Sequence, residues 1–281
     1  MSQIIYWWKF RANKGITLAI VSLHVLAILA LCPYFFSWSG LWIFLFLYWV
    51  TAGLGITLCF HRLLTHASFT TPNWVRKILI LCGCLAWQGS PITWVGTHRA
   101  HHAHSDTDQD PHTPRHGFNW AHVLWILNKS PEGFFPEDFA RDLIRDPFIE
   151  SLNLWFWVPQ VILALDLYAI GWLLGGHTLA ISWIVWGIAL RTVLVFHGTW
   201  FVNSATHTWG YRNFENTGDG SRNLWWVALI SFGEGWHNNH HGAQRSAAHG
   251  MRWYELDPTY WTINLMSWFG LASKIVRPPK L

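Results

Sequence analysis

Charged residues are scarce in this chain and are almost absent from its long apolar stretches. Asp, Glu, Lys and Arg make up 12% of the residues, whereas an ordinary soluble domain carries about 25%. Hydrophobic residues make up 52%, and runs of ~18 or more apolar residues are typical of membrane-spanning helices. The composition therefore argues against a soluble globular protein and predicts an all-α integral membrane protein with a single domain, residues 1–281.

Cysteine is also scarce, which argues against a disulfide framework. Cys32 and Cys59 lie in runs of spanning length, and Cys82 and Cys84 lie in a shorter apolar segment. Thiols that face the cytoplasm stay reduced. The apolar neighbours of Cys82-Gly83-Cys84 predict buried, inert side chains instead of a metal-binding pair. Their segment, 74–87, is too short to span and is expected to form an interfacial or half-buried helix.

Four runs with little or no charge qualify as membrane spans. They cover residues 16–36, 41–60, 154–174 and 178–201. Short turns at 37–40 and 175–177 separate the members of each pair. The pattern predicts four transmembrane helices arranged as two helical hairpins.

The distribution of charge predicts the orientation of these hairpins. Apart from Asp166 and Arg191, every charged side chain lies on one side of the spans. The positive-inside rule places that side in the cytoplasm, together with both termini and residues 61–153 and 202–281. Lys9, Arg11 and Lys14 are expected to anchor the N-terminus there.

Asp166 and Arg191 are predicted to lie at membrane depth, where charges are rare unless they are paired. Two interpretations stay open. The two side chains pair with each other across the second hairpin, or Arg191 reaches polar groups near the cytoplasmic side.

Histidine is abundant and falls into three short motifs, HRLLTH, HRAHH and HNNHH, on the predicted cytoplasmic side. Their members are His61, His66, His98, His101, His102, His237, His240 and His241. Imidazole is the commonest transition-metal ligand that proteins supply, and eight at such spacing are too many for one ion. The motifs therefore predict two metal ions in one site.

The spacing within the motifs indicates how the rings converge. In HRAHH and HNNHH, positions i, i+3 and i+4 share one face of a helix. His61 and His66 are five residues apart, about 140° around an ideal α-helix, so they approach from one side or lie where the helix ends. The other histidines are expected to be structural or exposed. They are His24, His104, His112, His116, His122, His177, His197 and His249.

Ligand type alone does not choose among iron, copper and zinc. The apolar, aromatic-rich surroundings favour redox chemistry on a hydrocarbon, and structural zinc sites prefer cysteine. Three other classes are the alternatives: a histidine-rich di-iron hydroxylase of alkanes or lipids, a metal carrier, and a zinc hydrolase. No nucleic-acid partner is expected.

In their contexts, these motifs resemble those of the membrane-bound fatty acid desaturases. GITLCFHRLLTHASF, GTHRAHHAHSDTDQDPH and GEGWHNNHHGAQRSAAHG, with NSATHTWGYRNF before the last, are similar to the delta-9, stearoyl-type class and above all to its cyanobacterial acyl-lipid members. The resemblance implies a cytoplasmic helical cap that holds two iron ions. It also implies oxygen-dependent insertion of a cis double bond into a saturated acyl chain, in a bacterial plasma or thylakoid membrane.

The resemblance further implies a ligand set. NSATH adds His207 as a ninth ligand and Asn203 as a contact through water. One iron would be bound by His61, His66, His98, His102 and His240, and the other by His101, His207, His237 and His241. A ligating histidine usually donates its other N–H to an acceptor. Acids close to the motifs either accept such bonds or lie in a solvated loop, and these acids are Asp106, Asp108, Asp110 and Glu234.

Substrate and electron donor are predicted by what the family's other members carry. Acyl-CoA members usually have Arg-Asp before the second motif, where this chain has Gly96-Thr97. The resemblance therefore favours an acyl chain esterified to a membrane lipid, with acyl-CoA as the alternative. No cytochrome b5-like segment follows the third motif, so a separate donor is expected, ferredoxin before cytochrome b5. A basic tail is expected to help it dock: Arg245, Arg252, Lys274, Arg277 and Lys280.

Overall fold

The computed structural model of this protein describes residues 11–131 and 133–280, so Lys9 lies outside the described residues. Within these ranges the regular structure is helical, and β pairing is limited to isolated bridges such as Thr70 with Ser273. The helices are α1 (Lys14–Ile28), α2 (Trp38–Thr65), α3 (Asn73–Cys84), α4 (Pro91–His104), α5 (residues 120–127), α6 (Arg141–Ile144), α7 (Pro147–Trp155), α8 (Val158–Ile184), α9 (Arg191–Ser204), α10 (Trp225–Ile230), α11 (His237–Gly242) and α12 (Pro258–Trp268). The predicted all-helical class is confirmed for this part of the chain.

Three helical stretches of the described chain are long and apolar enough to cross a membrane. They are Lys14–Leu31, Trp38–Thr65 and Val158–His207. The last contains α8, the π-helical segment Val185–Leu190, and α9. It bends at Gly175 and Gly176, and the φ of +73° at Gly176 is one that glycine adopts without strain. The two arms correspond to the third and fourth predicted spans, and the four-span topology stays a prediction.

Several boundaries differ from those expected. Residues 37–40 are not a turn but the start of α2, because the Ser37 hydroxyl accepts a hydrogen bond from the Gly40 amide at 3.0 Å and caps the helix. The first span ends at Leu31 instead of residue 36. Pro33, which has no N–H to donate, then opens a separate short turn. The third begins at Val158, and the preceding residues form α7.

The second half of α2, Trp49–Thr65, is π-helical. The His66 amide donates to the His61 carbonyl at 3.2 Å, a bond from residue i+5 to residue i. In an α-helix these residues would lie about 140° apart, whereas a bond between i and i+5 places them one turn apart on the same side. Their ring centroids are 4.9 Å apart. The π-helical backbone therefore brings both rings to one face, which the α-helical spacing does not predict.

The end of α2 is surrounded by α3, α4 and α12. Gly55 allows α2 to approach α3 closely, since a Cβ at this position would lie 2.5 Å from the Cys82 carbonyl oxygen. The Thr57 and Thr259 hydroxyls, 2.7 Å apart, join α2 to α12. The buried side chain of Phe60 fills the space beside Gly83. This packing fixes the helix end that carries His61.

Arg191 and Asp166 do not pair with each other. The Arg191 guanidinium is fully buried and donates to the Leu85 carbonyl at 2.5 Å and to Gln160 Oε1 at 2.8 Å. Asp166 is exposed. Of the two interpretations, the pairing of Asp166 with Arg191 is therefore wrong, and Arg191 instead reaches the Leu85 carbonyl after α3 and Gln160 of α8.

The short segment 74–87 forms α3, as expected. Val75, Leu79 and Ile80 are buried, whereas Trp74 and Ile78 are exposed. Burial raises the pKa of Cys82 to about 11 and that of Cys84 to about 12. Because the thiolate is the form that reacts and binds metal, the raised pKa values support the predicted inert thiols, although only Cys84 is buried and Cys82 is partly exposed.

Candidate metal centre

The nine predicted ligand histidines come together from four parts of the fold. α2 ends in His61 and His66, α4 carries His98, His101 and His102, the turn after α9 carries His207, and α11 carries His237, His240 and His241. They form two groups, and within each group the candidate ligand atoms all lie within 4.8 Å of one another. We call them the two metal groups. The first metal group, or first group, is His61, His66, His98, His102 and His240, and the second metal group, or second group, is His101, His207, His237 and His241. This division coincides with the one implied by the resemblance.

The two asparagines of HNNHH hold α11 in place. Asn238 Oδ1 accepts hydrogen bonds from the Asn213 and Phe214 amides, both at 2.8 Å. Asn239 Nδ2 donates to Glu255 Oε2 at 2.7 Å and to the His249 carbonyl at 2.8 Å. A helix of six residues has little stability of its own. These bonds therefore fix the direction in which its three histidines point.

In the first group, ring nitrogens face one another at short distances. The Nε2 atoms of His61 and His240 are 3.1 Å apart, and those of His102 and His240 are 2.9 Å apart. Nitrogens bound ~2.0–2.1 Å from one ion at right angles to each other would be separated by ~3 Å. The Nε2 atom of His66 is buried and has no hydrogen-bond partner. Converging nitrogens without enough protons to join them fit a cation between them.

The second group has the same character. The Nε2 atoms of His207 and His237 are 3.0 Å apart, and those of His101 and His241 are 3.4 Å apart. His101 and His102 are neighbours on α4 but belong to different groups. The short helix α11 divides in the same way, with His240 in the first group and His237 and His241 in the second. Adjacent histidines in one motif thus serve both groups.

Four of the nine rings have Nδ1 against a carboxylate. The pairs are His61 with Glu234 at 2.5 Å, His101 with Asp110 at 2.9 Å, His207 with Asp106 at 3.0 Å and His241 with Asp219 at 2.5 Å. A carboxylate on Nδ1 places the proton there and leaves Nε2 free to bind metal. Asp106, Asp110 and Glu234 had been singled out from the sequence, and Asp108 is not among these partners.

Asp219 was missed because it lies in neither a histidine motif nor its flanks. Its Oδ1 accepts hydrogen bonds from the Ser221 amide at 2.9 Å and the Thr217 hydroxyl at 3.0 Å. These bonds orient the other oxygen toward His241. The sequence contains a turn signal, Gly218-Asp219-Gly220, but such a signal does not indicate which ring the turn reaches.

Burial and mutual repulsion keep most ligand rings neutral. Burial, followed by neighbouring imidazoles, lowers the pKa of His98, His102, His237 and His240 well below the usual value. A neutral imidazole has a free lone pair, which metal binding requires. The ring nitrogens of these four histidines are therefore available as ligands at neutral pH.

The carboxylates stay ionised despite being buried. Burial alone would raise the pKa of Asp110, but His101 and His112 lower it below the usual range. Glu234 behaves in the same way, since burial raises its pKa while His249, His61 and Arg62 lower it further. Both carboxylates therefore carry negative charge beside the ligand rings, where it offsets part of the charge of bound cations.

Arg62, inside HRLLTH, balances Glu234 on the side away from the metal groups. Its guanidinium is fully buried and donates to Glu234 Oε1 at 3.2 Å, to Asp257 Oδ2 at 2.9 Å and to the Ala247 carbonyl at 2.6 Å. A buried charge is costly unless it is paired and hydrogen-bonded. Arg62 and Asp257 thus hold Glu234 in the position in which it contacts His61.

An apolar cavity of about 470 Å³ lies beside the first group. It shares four lining residues, Trp94, His98, Thr199 and Asn203, with a second cavity of about 40 Å³ that reaches His61 and Glu234. Asn203 is buried and lies in the wall of both cavities. An apolar chain that extends from the larger cavity into the smaller one would pass directly beside the first metal group.

The fold and the site define a class of protein, helical proteins with stretches long enough to cross a membrane and two histidine groups that could hold metal ions beside an apolar cavity. Residues 8–265 match the model of the fatty acid desaturase family, and the chain belongs to that family. It is 50% identical to the sn-1 stearoyl-lipid 9-desaturase of Anabaena variabilis, over 95% of each chain. It is 46% identical to the sn-1 stearoyl-lipid 9-desaturase of a Synechocystis species, over 92% of this chain and 79% of the relative.

A further relative differs in its substrate. The chain is 40% identical to the icosanoyl-CoA 5-desaturase of Limnanthes douglasii, over 97% of this chain and 75% of that protein. The predicted family and enzyme class, a fatty acid desaturase among the oxidoreductases, are confirmed. The names of these relatives also show that acyl carrier and double-bond position vary among similar chains.

Proposed function

We propose that this protein inserts a cis double bond at the delta-9 position of a saturated acyl chain esterified to a membrane glycerolipid, with dioxygen as co-substrate. The observation that carries the proposal is the apolar cavity that runs past His98 and Asn203, beside the first metal group. Relatives at 46% and 50% identity are named acyl-lipid 9-desaturases, whereas the acyl-CoA relative is 40% identical.

Two iron ions are the cofactors that this donor set fits. The first group would hold one iron and the second group the other, with Asn203 in contact through water. The ligands are imidazoles, four of which are oriented by carboxylates. When bound, the irons supply the oxidising chemistry that removes two hydrogens from an unactivated pair of methylenes, using dioxygen and two external electrons.

The cavity walls fix the path of the acyl chain. Its volume lies within the ~300–1,000 Å³ of typical ligand sites, and the smaller cavity continues it as far as Tyr48, whose hydroxyl donates to the Ile230 carbonyl at 2.6 Å. Where the cavities meet, Trp94 Nε1 donates to Gln88 Oε1 at 3.1 Å and Gln88 Nε2 donates to the Thr199 hydroxyl at 2.8 Å. These bonds hold the wall next to His98 in one shape, so a fixed segment of the chain would face the metal group.

The cavity's surroundings support a lipid as the acyl carrier. α1, a candidate membrane span, lines it through Ile16, Ile20 and Leu23, so the cavity borders the region that lipid would occupy. Among the described lining residues, Lys129 is the one lysine and there is no arginine. A CoA headgroup carries several phosphates, and this wall offers little positive charge to bind them.

Gly96 has a structural reason to be glycine that is independent of the substrate. A Cβ on this residue would lie 2.0 Å from the Pro136 carbonyl oxygen. An arginine at this position would therefore require the chain around Pro136 to move. The Gly96-Thr97 pair supports a lipid substrate only together with the composition of the cavity wall.

The proposed activity is tested by expression in a host that lacks this unsaturation, followed by fatty acid analysis of each lipid class. The wild type is expected to yield monounsaturated acyl chains in glycerolipids, and His237→Ala is expected to yield none. His104→Ala is the matched control, because His104 lies on α4 but belongs to neither metal group. Hydroxylated product would favour the di-iron hydroxylase, and unsaturation confined to the acyl-CoA pool would contradict the lipid substrate.

We further propose that the metal groups face the cytoplasm, in a plasma or thylakoid membrane, and that electrons come from a separate acidic carrier, ferredoxin before cytochrome b5. The five basic residues of the tail are all exposed and therefore available to such a partner. Complementary charge raises the rate of association between redox partners.

A further inference from the structure

Three histidines outside the metal groups form a hydrogen-bonded chain. His24 of α1 contacts His197 of α9 through their Nε2 atoms at 3.1 Å, and His197 Nδ1 contacts His122 Nε2 of α5 at 3.0 Å. His122 Nδ1 lies 2.9 Å from the Ser204 hydroxyl. This chain (His24, His197, His122 and Ser204) joins three helices that are distant in sequence.

The three rings are hydrogen-bonded one after another in a line, which is not the geometry of a metal site. His197 uses one ring nitrogen toward each neighbour, so the nitrogens do not converge on one point. Among the described residues, no group of three converging ligands includes any of these rings.

Both ends of the chain are backbone carbonyls, which only accept hydrogen bonds. His24 Nδ1 lies 2.7 Å from the Ile20 carbonyl, and the Ser204 hydroxyl donates to the Trp200 carbonyl at 2.8 Å. There are thus five contacts, each of which requires one proton. Three neutral imidazoles and one hydroxyl supply four protons, and one imidazolium supplies the fifth.

Trp200 lies among the three rings. The centroid of its ring is 5.1 Å from the His197 ring and 5.7 Å from the His122 ring. The His24 ring is stacked on Trp200 with its centroid 6.4 Å away. An indole attracts a cation that lies within about 6 Å of its centroid. Trp200 also lines the larger cavity, so the chain borders the wall that the acyl substrate would contact.

Among the described residues, no carboxylate, lysine or arginine is found to act on His122 or His197. The titratable groups that act on His197 are His122 and His24. The rings also contact the aromatic side chains of Phe118, Trp200 and Phe201. Burial lowers the pKa of His122, and the Trp200 backbone opposes that shift. The fifth contact, which only an added proton can fill, favours the charged form against the effect of burial.

We propose that His24, His122 and His197 together bind one proton, shared along the chain, and that this proton holds Trp200 in the wall of the acyl cavity. The proton binding stands on the contacts alone. The consequence for substrate rests on the proposed function. When the proton is lost, four protons remain for five contacts, and one of the contacts is given up.

Ser204 provides a variant that tests the proton count without removing a histidine. Ser204→Ala removes two of the five contacts together with the hydroxyl proton. Three contacts then remain for three neutral rings, and no extra proton is required. Ser204→Thr keeps the hydroxyl and is the matched control.

Ultraviolet resonance Raman spectra in D2O distinguish imidazolium from neutral imidazole and do not require activity. The spectra are compared within the range of about pH 5 to 8 in which histidine titrates. The wild-type spectrum minus the Ser204→Ala spectrum is expected to show one imidazolium. The wild-type spectrum minus the Ser204→Thr spectrum is expected to show none. A wild type without the extra imidazolium throughout this range would overturn the proposal. If Ser204→Ala does not fold, the difference between wild type and His24→Phe is expected to show the same single imidazolium.

The link to the substrate is tested by the pH dependence of the KM for an acyl-lipid. In the wild type, KM is expected to rise several-fold as the imidazolium signal is lost, with kcat changing little, and in Ser204→Ala KM is expected to be high throughout. Equal pH profiles of KM in the two proteins would overturn the link to Trp200. A protein that shows the imidazolium but no desaturation would instead contradict the proposed function.

Discussion

The carboxylates around the metal centre act one residue at a time, because each contacts a single ring among the nine predicted ligands. Asp219 accepts from His241 Nδ1 and is itself held by Ser221 and Thr217. Burial would raise the pKa of Asp219, but the hydrogen bond from His241 lowers it below the usual range, so that the carboxylate stays charged. A single substitution there changes one ring's orientation and leaves the other eight ligands in place.

Asp219→Asn is therefore expected to weaken the second metal group selectively. Loss of such an outer partner typically lowers metal affinity ~10–100-fold. We expect the purified variant to lose about one of its two irons during dialysis against a chelator, as measured by metal analysis. Asp108→Asn is the control, since Asp108 is not a partner of any ligand ring. Full iron retention in Asp219→Asn would contradict the role given to this carboxylate.

Gly96 permits a second test with a single residue. Gly96→Ala places a Cβ against the Pro136 carbonyl, and overpacking of this kind costs ~1–3 kcal/mol. We expect a lower midpoint of thermal unfolding in detergent. Gly15→Ala is the control, because the nearest atom to its Cβ would be 3.7 Å away. Unchanged stability of Gly96→Ala would show that the substrate, and not packing, requires glycine there.

At the scale of single residues, the sequence predicts the candidate ligand histidines better than the residues that hold those histidines in place. His98, His101 and His102 follow from helical spacing, because i, i+3 and i+4 share a face. His207 required the resemblance, since a lone histidine has no spacing to interpret. Asp219 and Arg62 were not foreseen, because the contacts that define them form only when distant segments fold together.

At the scale of helices, the π-helical half of α2 and the wall formed by α9 determine how the site meets its substrate. The uncharged run 41–60 predicted a span within α2 but not its hydrogen-bond register, because the length of an apolar run does not indicate which backbone groups pair. The bend at Gly175 and Gly176 was predicted as a turn, since paired glycines interrupt an apolar run. The ends of α1 and α8 were misplaced, because apolar residues continue beyond the last hydrogen-bonded turn.

Thr199 on α9 tests whether the cavity wall sets the position of the double bond. Thr199→Val removes the hydroxyl that accepts from Gln88 while keeping nearly the same volume. Gln88 then loses one of its bonds at the junction of the two cavities, and the acyl chain is held less firmly beside His98. We expect a mixture of double-bond positions, measured by mass spectrometry of derivatised products. Thr199→Ser should retain a single product, and a single product from Thr199→Val would contradict this role.

At the scale of the whole molecule, burial of many neutral histidines makes stability depend on pH. The pKa values of His98, His102, His237 and His240 are lowered in the folded protein. Below about pH 6.5, the usual histidine value, the unfolded chain binds more protons than the folded one, so stability falls as pH falls. The lowered pKa values of Asp110 and Glu234 act in the same direction at lower pH, whereas His101, whose pKa Asp110 raises despite burial, acts in the opposite sense.

We expect the midpoint of thermal unfolding of the metal-free protein to fall steadily as the pH is lowered from about 7 to 5. This range contains the usual histidine pKa of about 6.5. The measurement is made in one detergent at constant ionic strength. The midpoint of His104→Ala should change with pH as steeply as that of the wild type, because His104 belongs to neither metal group. A midpoint that does not change over this range would mean that the folded and unfolded chains bind equal numbers of protons, which would contradict the lowered pKa values of the buried histidines.

The basic tail is connected to the metal centre through a short series of contacts, which gives a reason for an electron donor to bind there. The Val276 amide donates to the Ser68 carbonyl at 2.9 Å, and the Ala247 amide donates to the Val276 carbonyl at 2.8 Å. The Ala247 carbonyl accepts from Arg62, which in turn holds Glu234 against His61. The tail residues Lys274, Arg277 and Lys280 therefore surround a segment that is fastened to the support of the first metal group.

Replacing Lys274, Arg277 and Lys280 together by glutamate is expected to slow reduction of the metal centre by an acidic carrier at low ionic strength. The difference should vanish at high salt, because the Debye length falls from about 10 Å at 0.1 M to about 3 Å at 1 M. Rapid-mixing spectroscopy of the donor's oxidation measures this rate directly. The charge-preserving variant with Lys274→Arg and Lys280→Arg should behave as the wild type. If charge reversal leaves the low-salt rate unchanged, the donor binds elsewhere, and the fastening of the tail to Ser68 and Ala247 serves the stability of the site alone.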